Sequence, residues 1–260
     1  MRLTFLGTGS IVPTHNRFSS SILVEIRDER MLLDCGPGTL EKLRRIGVDP
    51  NAIPRVFLTH YHIDHALDLL AMVKLRAFDQ YGGPSPNPLN LRVYGPPGLN
   101  TLVSHLFEKI PQFRYVSENL SCFKYLELKE VTEGLVEDGA TWRVTCAPVK
   151  HYNGVAYKIE AEGKSVVYSG DTIPDENLIE LAKNADVLIH ECSFPDEQLL
   201  GLHTSEKGLA EVAAKARPRV LIPIHLYPAW EGREDELKMS LTKAFGGDVI
   251  VPKDLESYEV

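Results

Sequence analysis

The sequence predicts an α/β chain in which layers of sheet and helix pack on one another. Two observations carry this. Short β-branched runs that stop at polar residues recur along the 260 residues, and segments with helical apolar spacing fall between them in both halves. A hydrophobic share of 43% and a charged share of 25% describe a globular chain with room for a large core, not a disordered one.

Strands are read at LTFL (3–6), SILVEI (21–26), MLLD (31–34), RVFLTH (55–60) and LRVY (91–94) in the first half. In the second half they are WRVTCA (142–147), VAYKIEA (155–161), SVVYSGD (165–171), DVLIHE (186–191) and RVLIPIH (219–225). Helices are read at 38–46, 66–78, 98–110, 177–182 and 206–216. In the last of these Leu209, Val212, Ala213 and Ala216 share one face, and Ser205 is placed to cap the first turn. YGGPSPNP (81–88) reads as a surface loop. No Gly/Ser linker divides the chain, so residues 1–260 are read as one domain.

Composition narrows the function classes. No apolar run approaches the roughly 20 residues that span a bilayer, and MRLTFLGTGS reads as a first strand rather than a signal peptide. The expectation is a soluble cytoplasmic protein without a membrane partner. Lys and Arg number 28 against 36 Asp and Glu, a net charge of −8, which is unlike the basic footprint of a general nucleic-acid binder. Short basic pieces, KLRR (42–45), Lys74 with Arg76, and KARPR (215–219), read as solvated helix faces. Cys35, Cys122, Cys146 and Cys192 are scattered and predict buried reduced thiols, not a disulfide framework or a cysteine zinc site.

The chemistry concentrates in H-x-H-x-D-H, residues 60–65. His60 and His62, two apart in an extended segment, point the same way and can grip one divalent ion. Asp64 and His65 follow where the chain turns into a helix and can reach a second ion. Further donors lie at strand exits: Asp171 in YSGDT, where Gly170 permits a sharp bend, and His225 at the end of RVLIPIH. His151 sits just beyond another strand. Taken singly, these three read as a capping histidine, a turn aspartate and a hydrogen-bonded core histidine. Beside H-x-H-x-D-H they read as further ligands.

On these stretches the chain resembles the metallo-β-lactamase superfamily, and within it the ribonuclease Z group of phosphodiesterases. The matching segments are FLGTGSIVPTHNR (5–17), LLDCGPGTLEKL (32–43), FLTHYHIDH (57–65), YSGDT (168–172), LIHECSF (188–194), LHTSEKGLAEVAAKA (202–216) and IPIHLYP (222–228). The resemblance implies an αβ/βα sandwich: two mixed sheets packed face to face, with helices on both outer faces and a two-metal site in an edge cleft. It implies that His60, His62 and His151 hold one ion, that Asp64, His65 and His225 hold the other, and that Asp171 bridges. A hydroxide between the ions would then attack phosphorus. The implied cofactor is two divalent ions, Zn²⁺ by default, with Mn²⁺ or Fe²⁺ also suited to mixed His/Asp donors.

The resemblance also implies that His203 contacts the scissile phosphate and protonates the leaving oxygen, with Glu191 orienting it and Asp64 among the residues turnover requires. His190, next to Glu191 on a strand, then faces away from the cleft. His15 and His105 read as ordinary surface histidines, although His15 lies in a loop that could line the cleft. A homodimer is implied as well.

In one respect the chain departs from the group. Ribonuclease Z enzymes that process tRNA grip it with a protruding arm, in many members inserted between the positions of His151 and Asp171. Here VAYKIEAEGKSVVYSG fills that interval with two strands and a hairpin turn. The favoured expectation is a phosphodiesterase acting on small or cyclic phosphodiesters or on nucleic-acid ends. The alternatives are a tRNA 3′-end endonuclease that holds RNA by another surface, and a lactonase or other ester hydrolase. A non-enzymatic binding module ranks last, because a full ligand set has no evident structural purpose.

Overall fold

The computed structural model describes residues 1–79 and 81–260. The first half supplies β1 (Arg2–Gly7), β2 (Ser21–Ile26), β3 (Glu29–Leu33), β4 (Arg55–Phe57), β5 (Leu91–Gly95) and β6 (Leu126–Glu130). The second supplies β7 (Gly134–Asp138), β8 (Trp142–Val149), β9 (Gly154–Ala161), β10 (Lys164–Tyr168), β11 (Val187–Glu191), β12 (Val220–Ile224), β13 (Asp248–Val249) and β14 (Ser257–Glu259). They form two seven-stranded sheets, ordered β14-β1-β2-β3-β4-β5-β6 and β13-β12-β11-β10-β9-β8-β7. Both are mixed: β3 to β6 and β10 to β13 run parallel, the remaining neighbours antiparallel.

Strand alternation builds the layers. Leu3, Phe5, Ile22 and Val24 of the first sheet share one buried cluster with Val166, Tyr168, Val187 and Ile189 of the second. Their chain neighbours Leu6, Leu23, Val167 and Leu188 point the opposite way, as a period of two requires. Helices cover those outer faces. On the first sheet lie α1 (Thr39–Arg45), α2 (Ile63–Ala66), α3 (Asp68–Leu75), α4 (Leu99–Ser104) and α5 (Tyr115–Glu118), contributing Leu43, Met72, Val103 and Val116. On the second lie α6 (Glu176–Leu181), α7 (Glu206–Ala216) and α8 (Glu234–Phe245), contributing Leu178, Leu209, Val212 and Leu237. The result is the expected helix–sheet–sheet–helix sandwich.

Some expectations are corrected. The helix read at 66–78 is two pieces, because the Asp68 amide donates to the Cys35 carbonyl at 3.0 Å instead of continuing one ladder. The helix read at 98–110 is α4 followed by a π-helical turn, His105–Lys109. Strands β6, β7, β13 and β14 and helices α5 and α8 were not anticipated. The first two are edge strands with largely polar exposed faces, and α8 buries little beyond Leu237 and Leu241.

Two basic residues are not solvated helix faces. Lys42 is buried against Asp254, and Arg76 is buried with its guanidinium donating to the carbonyls of Asn51, Leu89 and Ile53. All four cysteines are buried and unpaired. Among the described residues, no helix is long and apolar enough to cross a membrane.

Candidate metal centre

The fold brings several strand exits to one edge, because parallel neighbours end on the same side. Asp34 follows β3, His60 follows β4, Asp171 follows β10, Glu191 ends β11 and His225 follows β12. His151 precedes β9, which runs antiparallel to β10, so its start lies beside the end of β10. His60 and His62 flank an extended turn with ring centroids 4.5 Å apart, and Asp64 and His65 lie in the single turn of α2. Gly170 has φ +59, and a Cβ there would sit 2.6 Å from Thr59 Cβ, so the bend delivering Asp171 demands glycine. His225 itself adopts φ +57, a strained value for a histidine, costing about 1–2 kcal/mol to aim its ring.

Among the described residues three overlapping groups of donor atoms could each hold a metal ion, each with its atoms within 4.8 Å of one another. Asp171, His203 and His225 form one, and the two that together take in every expected ligand are His60, His62, His151 and Asp171, and beside them Asp64, His65 and His225. The Asp171 carboxylate faces both. Its Oδ1 lies 3.3 Å from His65 Nε2 and 3.4 Å from His225 Nε2, while Oδ2 lies 3.7 Å from His60 Nε2 and 4.0 Å from His151 Nε2. Asp64 Oδ2 stands 3.3 Å from His225 Nε2 and 3.8 Å from His65 Nε2.

The donors fit divalent cations. His60 Nε2, His65 Nε2 and Asp171 Oδ1 are buried without a hydrogen-bond partner among the described residues. Buried polar atoms are nearly always satisfied, and leaving one unmade costs about 1–3 kcal/mol. Cations held by the two groups would satisfy all three atoms, and imidazole with carboxylate is a donor set suited to zinc-like ions.

On His60, His65 and His225 the outward nitrogen is tied down so that the inward one is free. His65 Nδ1 donates to Asp34 Oδ2 at 2.7 Å. His60 Nδ1 donates to Thr59 Oγ1 at 3.0 Å, and that hydroxyl in turn donates to Asp34 at 2.9 Å. His225 Nδ1 donates to Ser193 Oγ at 2.9 Å, and Ser193 donates to Glu191. Such outer hydrogen bonds choose the tautomer that points a lone pair inward. Glu191 also holds His203, whose Nδ1 lies 3.0 Å from Oε1, while the Thr172 and Thr204 amides donate to the same carboxylate at 2.8 and 3.1 Å.

Comparison with known proteins places this geometry. The family described as "Anti-Pycsar protein Apyc1" matches residues 1–243. A ribonuclease Z of Mycobacterium avium (strain 104) is 30% identical over 278 residues, covering 100% of this chain and 98% of the relative. The chain belongs to this ribonuclease Z-like family of the metallo-β-lactamase fold. The metallo-β-lactamase fold protein YhfI of Bacillus subtilis superposes with a TM-score of 0.80 at 23% identity, covering 99% of this chain and 98% of that one. The short form of human tRNase Z gives 0.76 at 21% identity, covering 100% and 99%. The ribonuclease Z relative, together with the clustered His and Asp donors, makes the chain a metal-dependent hydrolase with a divalent-metal site.

Electrostatics in this Apyc1-family chain separate its histidines. Burial, reinforced by His65, holds His60 well below the ordinary imidazole value. His65 is as deeply buried, but the charges of Asp171 and Asp34 outweigh burial and hold it well above that value. Asp171 goes the other way: burial pushes it up, yet His225 and His65 hold it well below the carboxylate range. For His203 burial is the largest single influence and lowers its proton affinity, but the Glu191 hydrogen bond and charge together overcome it and raise the result.

His190 is wholly buried with its ring turned back to the Glu191 carbonyl, at 2.6 Å, and takes part in neither group. His15 and His105 also lie outside both groups. Sequence reasoning missed Asp34, a buried aspartate at φ +58 that accepts from His65, from Thr59 and from the Tyr168 hydroxyl at 2.6 Å. The signal was present, since Asp34 ends the strand beside the one that delivers His60.

Proposed function

We propose that the protein is a two-metal phosphodiesterase acting on small or cyclic phosphodiesters, working as one domain over residues 1–260. The observation that carries the reading is the Asp171 carboxylate set between two donor groups, with His203 and its Glu191 partner beside them. His60, His62 and His151 would hold one ion and Asp64, His65 and His225 the other, with Asp171 between, zinc being the first choice. When bound, the ions supply charge neutralisation on phosphate oxygens and a nucleophile available near neutral pH. The chain's own groups do the rest. Asp34, Thr59 and Ser193 fix ring orientation, and Glu191 holds a proton on His203 Nδ1. That leaves the His203 Nε2 proton to pass to the departing oxygen.

The small-substrate reading over the ribonuclease Z alternative is supported by three features. Residues 154–168 form a plain hairpin, β9 and β10 paired as far as Ala161 with Lys164, where a tRNA-gripping arm would insert. The net charge is −8, and Lys42 and Arg76 are committed to buried contacts. Unpaired buried cysteines suit a reducing cytoplasm, and the exposed Ile63 and Leu67 beside the site suit a homodimer.

The test is parallel hydrolysis, by metal-loaded protein, of bis-p-nitrophenyl phosphate, a cyclic nucleotide and a precursor tRNA with a 3′ trailer. Cleavage of the small diesters with the tRNA intact is the expected result. Cutting of the tRNA at its 3′ trailer overturns the preference, and failure on all three moves ester and lactone hydrolysis forward.

A further inference from the structure

A row of rings crosses the mouth of the site. Tyr152 lies 5.8 Å from His62 and 5.8 Å from His151. His151 is 5.8 Å from His203, and His203 is 5.8 Å from Tyr227. Tyr227 is stacked on Phe194, centroids 4.3 Å apart and planes at 27°. Both ends of the row are therefore aromatic, and the two ends differ. The Phe194 ring is buried behind Tyr227, giving a braced surface, whereas Tyr152 is 71% exposed and free to be covered. His203 stands at only one end.

We propose that the Phe194–Tyr227 pair receives the leaving group of the phosphodiester and that Tyr152 receives the substituent retained on phosphorus. The inference rests on the phosphodiesterase reading. In that reaction a water oxygen bonds to phosphorus and the bond from phosphorus to the leaving oxygen breaks. The departing oxygen takes the His203 proton, and the other substituent stays on the phosphate monoester product. The leaving oxygen must therefore lie toward His203, hence toward Tyr227. In-line attack puts the water oxygen opposite it and the retained substituent at an equatorial position, and the aromatic face left to receive that substituent is the exposed Tyr152 at the other end of the row. Aromatic faces hold aryl or nucleobase rings by stacking without reading their edges, so the two ends select rings independently.

Two diesters with the same leaving group separate the ends: bis-p-nitrophenyl phosphate retains an aryl ring, methyl p-nitrophenyl phosphate only a methyl. p-Nitrophenolate departs without needing a proton, so the comparison is insulated from His203. With metal-loaded full-length protein, Tyr152→Ala is expected to lower the ratio of kcat/KM for the aryl-retaining over the methyl-retaining diester by about tenfold. Tyr227→Leu is expected to lower both values together, leaving that ratio in place, and Tyr227→Phe to restore them, with metal content equal to the parent throughout.

A Tyr152→Ala ratio equal to the parent's, or a Tyr227→Leu loss that merely follows lost metal, overturns the assignment. If the metal-loaded parent hydrolyses neither diester, the phosphodiesterase reading itself fails, and the assignment with it.

Discussion

Asp34 Oδ2 accepts the Nδ1 proton of His65 at 2.7 Å, and the opposite nitrogen of that ring faces Asp171 at 3.3 Å. A carboxylate outside the donor groups thus decides which way a wholly buried imidazole points its lone pair. Asp34→Asn is expected to weaken the ion nearest His65 by about 10–100-fold and, through Thr59 and His60, to weaken the ion nearest His62 and His151 to a smaller extent. Metal content measured against graded chelator shows this as two release steps moving apart. Release of both ions in one step would count against it.

Asp171 and Asp64 are not equivalent. Asp171 faces both donor groups and Asp64 only one, through His225 and His65. Asp64→Ala is expected to abolish turnover with one ion kept, and Asp171→Ala to reduce occupancy at both positions. Elemental analysis of the two purified variants distinguishes them.

His203→Ala is expected to leave metal content unchanged and to lower turnover by about 10²-fold or more for diesters with alkoxide leaving groups. The loss shrinks as the leaving group becomes more acidic. Glu191→Gln follows the same trend to a smaller extent. Equal losses across a leaving-group series would remove His203 from the role of acid.

At Gly36 a Cβ would fall 2.0 Å from the Asp64 carbonyl oxygen, closer than any side chain tolerates. Gly36→Ala is expected to push α2 aside, costing about 1–3 kcal/mol and loosening Asp64 and His65 together. Thermal melts with and without metal report both effects. A folded variant with parental metal affinity would contradict the expected coupling between the glycine loop and the site.

Metal removal has a calculable effect on stability. Free ion at a hundredfold excess over Kd adds about 2.7 kcal/mol to the folded state, which for a chain of this size raises Tm by roughly 5–10 °C. Calorimetry on chelated and reloaded protein measures it, and identical melts would mean that the donors bind no ion in the folded state.

Much of the site was legible because its chemistry is local. H-x-H-x-D-H declares itself within one strand exit and one helical turn, and Asp171 and His225 stand at the ends of runs that could only be buried strands. Asp34 was only half legible: MLLD (31–34) placed it at a strand exit like Asp171, but its role shows only once β3 is known to lie beside β4. Tyr168 likewise reads as an inward core residue, and its hydroxyl gains meaning only from Asp34 across the sheets. The layers were legible through alternation at Leu3, Leu6, Val166 and Val167. Strands β6 and β7 were not, because edge strands with polar faces lack that signal. Lys42 and Arg76 misled because burial of a cation depends on distant partners, Asp254 in one case and loop carbonyls in the other.

On the two-metal reading Asp171 stands between two ions held by the two donor groups. Anomalous diffraction at the zinc edge, on crystals of zinc-loaded protein, tests it most directly. Two peaks about 3.5–4 Å apart are expected, one against His60, His62 and His151 and one against Asp64, His65 and His225, with Asp171 touching both. A single peak, or peaks that leave Asp171 uncoordinated, would contradict it.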